Sequence, residues 1–132
     1  MEHTADVGVE AEAETFESLL GELALGMFEF IVDPQRVRAS VVYDVGEIQA
    51  PSAEAAVVKW LNELLYLHEA NEVVFSRFSV ERAGDVMIGK AWGEGIDAER
   101  HAPIGVVKAA TYHRLSVERK DGAWRARVYF DV

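Results

Sequence analysis

Residues 6–14 alternate, with Val7, Val9, Ala11 and Ala13 on one side and Asp6, Glu10, Glu12 and Glu14 on the other. Period two predicts a strand with one buried face. Thr15 is a candidate N-cap with Glu17 in the first turn, where the helix dipole favours an acid. Phe16, Leu19, Leu20, Leu23, Met27, Phe28 and Ile31 then fall at helical spacing, and Asp33-Pro34 stops the run because the residue before proline avoids the α region. Alternation returns at Val37, Ala39, Val41, Tyr43 and Val45, a second strand.

Ser52 is placed to cap a second helix. Val57, Val58, Leu61, Leu64, Leu65 and His68 line one face of it, and Trp60 and Leu67 widen its buried arc. Asn71 suits its C-terminal end. The remainder reads as strands: 73–82, a turn at Ala83-Gly84-Asp85, 86–92, a loop through Gly93-Glu94-Gly95 and Asp97–Pro103, then long strands 106–119 and 123–131. The order β-α-β-α-β-β-β-β is α+β. It is expected as one domain over 1–132, a mixed β-sheet with two helices packed on one face.

Asp121-Gly122 is a two-residue hairpin signal, and it fixes a register that can be tested for consistency. Lys120 faces Ala123, Glu118 faces Arg125, Ser116 faces Arg127, Arg114 faces Tyr129 and Tyr112 faces Asp131. Val117 meets Ala126, Leu115 meets Val128 and His113 meets Phe130. Apolar and polar positions segregate without conflict, as a real pairing requires.

Charge then narrows the possible partners. The 132 residues carry 13 basic and 23 acidic side chains, a net of −10, with half of the residues hydrophobic. Residues 1–99 hold 6 basic and 20 acidic groups, a net of −14, whereas 100–132 hold 7 and 3, a net of +4. That balance disfavours strong direct nucleic-acid binding and docking on anionic membranes, both of which rest on Lys and Arg. It leaves a cation or a basic protein. There is no cysteine, so a disulfide, a thiol nucleophile and a cysteine zinc site are excluded. No apolar run is long enough to span a bilayer, and the Met1-Glu2-His3-Thr4 start lacks a signal region, so a cytoplasmic protein is expected.

Four groupings could carry chemistry. Asp6 opens the first strand and Asp131 lies near the end of the last. With the Val132 α-carboxylate, if the chain ends there, they make three oxygen donors should those strands be neighbours. Clustered carboxylates repel, and a hard cation (Ca²⁺, Mg²⁺ or Mn²⁺) relieves it; if the strands lie apart, both residues are merely solvated. His3, His68, His101 and His113 share no ligand spacing. His68 and His113 fall on core faces, and His3 lies close to Asp6 in sequence. Lys108, among small apolar residues, could hold a phosphate or a partner's carboxylate. The basic residues of the last hairpin, with Tyr112 and Tyr129, could face RNA, but a solvated or protein-docking face fits the overall acidity better. No phosphate loop, dinucleotide fingerprint or nucleophile elbow occurs.

At Glu2-His3-Thr4-Ala5-Asp6-Val7-Gly8 the sequence resembles the archease family. The likeness recurs at WLNELLYL (60–67), VFSRFSV (74–80), VKAATYH (107–113) and YFDV (129–132). It implies a small accessory protein, not itself an enzyme. Its implied role is to activate the RNA-splicing ligase that joins tRNA halves, promoting GTP-dependent guanylylation and multiple turnover. It also implies a metal site of Asp6, Asp131 and Val132, with Ca²⁺ as the ion, and a part in activation for Lys108; His3 belongs to the same motif as Asp6. The alternatives are a chaperone-like binding module or a modulator of an RNA methyltransferase. One departure stands out: the family follows TYH with Gly, and here Arg114 takes that place.

Overall fold

The computed structural model describes residues 6–132, with Asp6 described by its backbone alone. The elements are β1 (Asp6–Ala13), α1 (Phe16–Phe28), a 3-10 turn (Pro34–Arg36), β2 (Val41–Ile48), α2 (Ala53–Asn71), β3 (Val73–Ala83), β4 (Val86–Gly95), α3 (Ala98–His101), β5 (Ala109–Ala110), β6 (Ser116–Lys120) and β7 (Ala123–Asp131). Both caps read from the sequence form. The Thr15 hydroxyl accepts from the Ser18 N–H at 3.1 Å, and the Ser52 hydroxyl accepts from the Ala55 N–H at 3.1 Å. α2 runs to Asn71 and ends on Glu72, which takes the left-handed conformation at φ 52°.

The α+β order is as expected, but the strands form two sheets and every pairing is antiparallel. In one sheet β7 is central, with β1 on one side and β5 and β6 on the other; the second sheet runs β2-β4-β3. A mixed sheet was expected because helices usually join parallel neighbours. Here α1 joins strands of different sheets, and α2 joins β2 to β3 with β4 inserted between them.

Both helices pack against both sheets, so the core lies between the layers. Leu19, Leu20, Leu23 and Met27 of α1 are fully buried with Trp60, Leu61 and Leu64 of α2. Trp60 ties the layers together. Its indole N–H donates to the Leu20 carbonyl at 2.8 Å, and its ring covers Gly89 of β4, where a Cβ would lie 2.3 Å from Trp60 Cζ3. Glycine at 89 is thus required by close approach.

The last hairpin forms in the predicted register from Ser116–Arg127 to Lys120–Ala123. Beyond it the pairing departs from the prediction: Ala109, not Tyr112, lies opposite Asp131, and Ala110 lies opposite Phe130. A turn interrupts the expected strand, with the Leu115 N–H donating to the Tyr112 carbonyl at 3.1 Å. Arg114 occupies that turn at φ 56°, a conformation that favours glycine. His113, expected on the core face, is exposed there. The pattern could not show this, because Leu115 and Val117 keep the alternation on the near side of the turn.

Candidate functional site

The outer face of the β7 sheet is built of cross-strand rungs between β1 and β7. Glu12 lies opposite Arg125, Glu10 opposite Arg127, Gly8 opposite Tyr129 and Asp6 opposite Asp131. Two rungs are complementary ion pairs, Arg127 to Glu10 at 2.9 Å and Arg125 to Glu12 at 3.3 Å. Hydrogen bonding to Glu10 holds the Arg127 guanidinium above its ordinary value. The third rung is steric: a Cβ at Gly8 would lie 3.0 Å from the Tyr129 ring, and the Arg114 guanidinium lies over that ring, 5.5 Å from its centroid. The fourth rung sets like charge against like charge, which destabilises a sheet.

Asp131 is flanked on its other side too. Ala109 is its partner in β5, and the Lys108 N–H donates to the Asp131 carbonyl at 2.7 Å. The side chain of Asn62, on α2, holds β5 from outside: it accepts from the Ala110 N–H at 2.8 Å and donates to the Ala110 carbonyl at 3.1 Å. Lys108 is exposed and makes no ion pair among the described residues. One sheet end therefore brings together the backbones of Asp6, Asp131, Val132 and Lys108. His3 lies outside the described residues. Asp6 and Asp131 are both carboxylate residues, and oxygen donors are the kind a hard cation takes. No group of three His, Cys, Asp or Glu side chains able to hold a metal occurs among the described residues, of which the Asp6 side chain is not one.

His68 is half-buried and satisfied, its Nδ1–H donating to the Val73 carbonyl at 2.6 Å. His101, which in the sequence is one of four histidines without ligand spacing, has a structural role. It is fully buried, and its Nδ1 accepts from the Asp97 N–H at 2.8 Å, which leaves the proton on Nε2 facing Glu94 at 2.9 Å. Glu94 also accepts two bonds from Arg100 at 2.8 Å and one from the Arg38 N–H at 2.8 Å. The Arg100 bonds come first among the causes that hold its carboxyl well below the usual carboxylate range. These four bonds lock the 96–101 segment onto β4. Its signal was hidden: Asp97 caps a four-residue helix in what reads as a loop.

A model of the Archease protein family (MTH1598/TM1083) matches residues 1–132. The chain belongs to the archease family. Among its archease relatives, the protein of Pyrococcus furiosus is 38% identical over 99% of this chain and 95% of its own length. That of Methanosarcina mazei is 39% identical over 100% and 93%. The solution structure of Methanobacterium thermoautotrophicum protein 1598 superposes with a TM-score of 0.83 at 34% identity, covering 100% of this chain and 96% of that one. An archease of Thermotoga maritima, named as a possible chaperone, gives 0.64 at 24% identity over 100% and 94% and supports the fold alone. No helix among the described residues is long and apolar enough to cross a membrane.

Proposed function

We propose that this archease is an accessory protein that activates an RNA-splicing ligase, through a cation held at the sheet end by Asp6, Asp131 and the Val132 carboxylate. The observation that supports it is the Asp6–Asp131 rung, a like-charge pair on a face whose charged neighbours are complementary. Such a pair costs stability unless it is put to use, and Ca²⁺ fits an all-oxygen donor set. When bound, the ion supplies positive charge at an exposed edge, where it can help a nucleotidyl-transfer enzyme bind or orient its phosphates. Lys108, anchored by its own N–H to Asp131, adds a second cation a residue away.

The test is single-turnover guanylylation of the ligase encoded in the same genome, with wild type, Asp6→Ala and Asp131→Ala. Each variant should lose at least about tenfold in stimulation, the loss expected when one partner of a buried or metal-linked set is removed. Wild-type stimulation by both variants would sink the reading.

A further inference from the structure

β1 pairs with β7 on one side and has an open edge on the other. In an antiparallel ladder bonded and non-bonded pairs alternate, so successive residues of a strand turn their backbone groups to opposite sides. The Thr111 N–H, just past β5, donates to the Tyr129 carbonyl at 3.1 Å, so Tyr129 turns its backbone groups toward β5. Its neighbours Val128 and Phe130 therefore bond to β1, through Val9 and Val7. The N–H and C=O groups of Gly8, Glu10 and Glu12 are left pointing away from β7, along the open edge, with no backbone partner among the described residues.

An open edge is a template for another strand, and the other edges of this molecule are blunted. β2 has a bulge at Asp44/Gly46 and β3 one at Phe75/Arg77. The Asn62 side chain occupies β5, and β6 is five residues long and ends on Arg119 and Lys120. β1 keeps an unbroken register over its 8 residues and holds neither proline nor a basic side chain. α1 runs beside it, so close that a Cβ at Gly26 would lie 2.7 Å from Val9 Cγ1. Edge and helix bound a groove of about 590 Å³ whose floor includes Ala11, Leu25 and Phe30. Its charged residues are Glu10, Glu12, Glu22 and Glu29, and no basic residue lines it. Glu10 and Glu12 each hold an arginine of β7, but Glu22 and Glu29 make no ion pair among the described residues. RNA would be repelled there. A second copy would bring the same glutamates to the seam, where like charges destabilise a pairing.

We propose that the open edge of β1 is a docking site for an extended, basic segment of a partner protein. The segment adds a strand to the sheet, its backbone pairing with Gly8, Glu10 and Glu12. Its lysines or arginines lay their stems on Leu25 and reach Glu22 and Glu29 with their charged ends. Backbone pairing supplies affinity, and the acidic groove decides which strands are accepted. None of these groups belongs to the cation site, and the proposal stands whether or not the ligase reading does.

The experiment titrates isotope-labelled full-length protein with a capped peptide that alternates lysine and valine, and follows backbone amides by NMR. The amides of Gly8, Glu10 and Glu12 should shift, and their exchange with solvent should slow at least about tenfold at saturation. Those of Val7, Val9 and Ala11, already bonded to β7, should stay protected throughout. Affinity should fall as salt rises. Glu22→Lys/Glu29→Lys, which changes two exposed side chains, should bind at least about tenfold more weakly. Glu10→Pro deletes one outward N–H and keeps the bonds to β7. It should bind about fivefold more weakly than Glu10→Gln, which loses the same charge and keeps the N–H. Two probes of the wild type depend on no variant's folding: the N-methylated peptide, and the peptide with glutamate in place of lysine, should leave these amides unmoved. Either probe binding as well as the parent peptide overturns the proposal. So does a parent peptide that moves none of the three amides at millimolar concentration. Protection of these amides that grows with protein concentration alone assigns the edge to a second copy and overturns it as well.

Discussion

Asn62 satisfies both backbone groups of Ala110, accepting from its N–H at 2.8 Å and donating to its carbonyl at 3.1 Å. A helix side chain thereby stands in for the strand that would otherwise lie outside β5. Asn62→Leu leaves both groups without partners in a half-buried place. It should cost about 1–3 kcal/mol, read by urea unfolding. Amide exchange at Ala110 and Lys108 should quicken while that at Trp60 does not.

The like-charge rung gives a prediction that changes sign with the ion. In chelator, Asp131→Asn removes a repulsion and should raise stability by about 0.2–1 kcal/mol. With Ca²⁺ at a hundred times its Kd, wild type should gain about 2.7 kcal/mol by linkage, and the variant most of it less. Thermal unfolding with and without Ca²⁺ measures both; equal shifts in the two proteins would remove the site.

Glu94 sets a pH dependence. Its carboxyl is held well below the usual range by Arg100, so its contribution is complete above the unfolded value of about 4.3 and fades as pH falls toward the folded value. Glu94→Gln should cost about 1–3 kcal/mol near neutrality. The gap from wild type should then narrow as pH drops below about 4. Urea titrations across that range would show a constant gap if the carboxylate charge were irrelevant.

Arg114 sits at φ 56° and stacks on Tyr129. Arg114→Gly gives up a stack of about 0.5–1 kcal/mol but relieves a backbone penalty of about 1–2 kcal/mol. Arg114→Ala gives up the stack and keeps the penalty. The glycine variant should therefore be the more stable of the two by about 1 kcal/mol, and at least as stable as wild type.

Gly89→Ala should be among the most damaging single-methyl changes in the molecule. The added Cβ meets the Trp60 ring, and Trp60 cannot retreat without releasing the Leu20 carbonyl. A loss of about 1–3 kcal/mol in denaturant unfolding is expected.

Local physics was legible in the sequence wherever it acted alone. The two helix caps, the strand alternation of β1 and the lower half of the last hairpin all rest on neighbours in the chain. Strand partnership does not. Nothing near β2 says that β4 will insert between it and β3, so one mixed sheet was read where two antiparallel sheets stand. Arg114 hid a turn because a residue with a side chain gives no glycine signal. Asp6 and Asp131 were singled out for their chemistry, and their pairing carries the proposed cation site. The pairing of Glu94 with His101 was not legible, because it depends on a four-residue helix inside an irregular segment.

The place of β7 has a consequence for how this molecule comes into being. Residues 123–131 lie in the middle of their sheet, yet among the described strands they come last in chain order. Until they emerge, β1 has no partner in its sheet and β5 and β6 have nothing to pair with. Contacts between such distant parts of a chain form slowly. The Asp6–Asp131 rung therefore forms only after β7 has emerged and paired with β1, so a chain cut short before β7 presents no such rung to a partner.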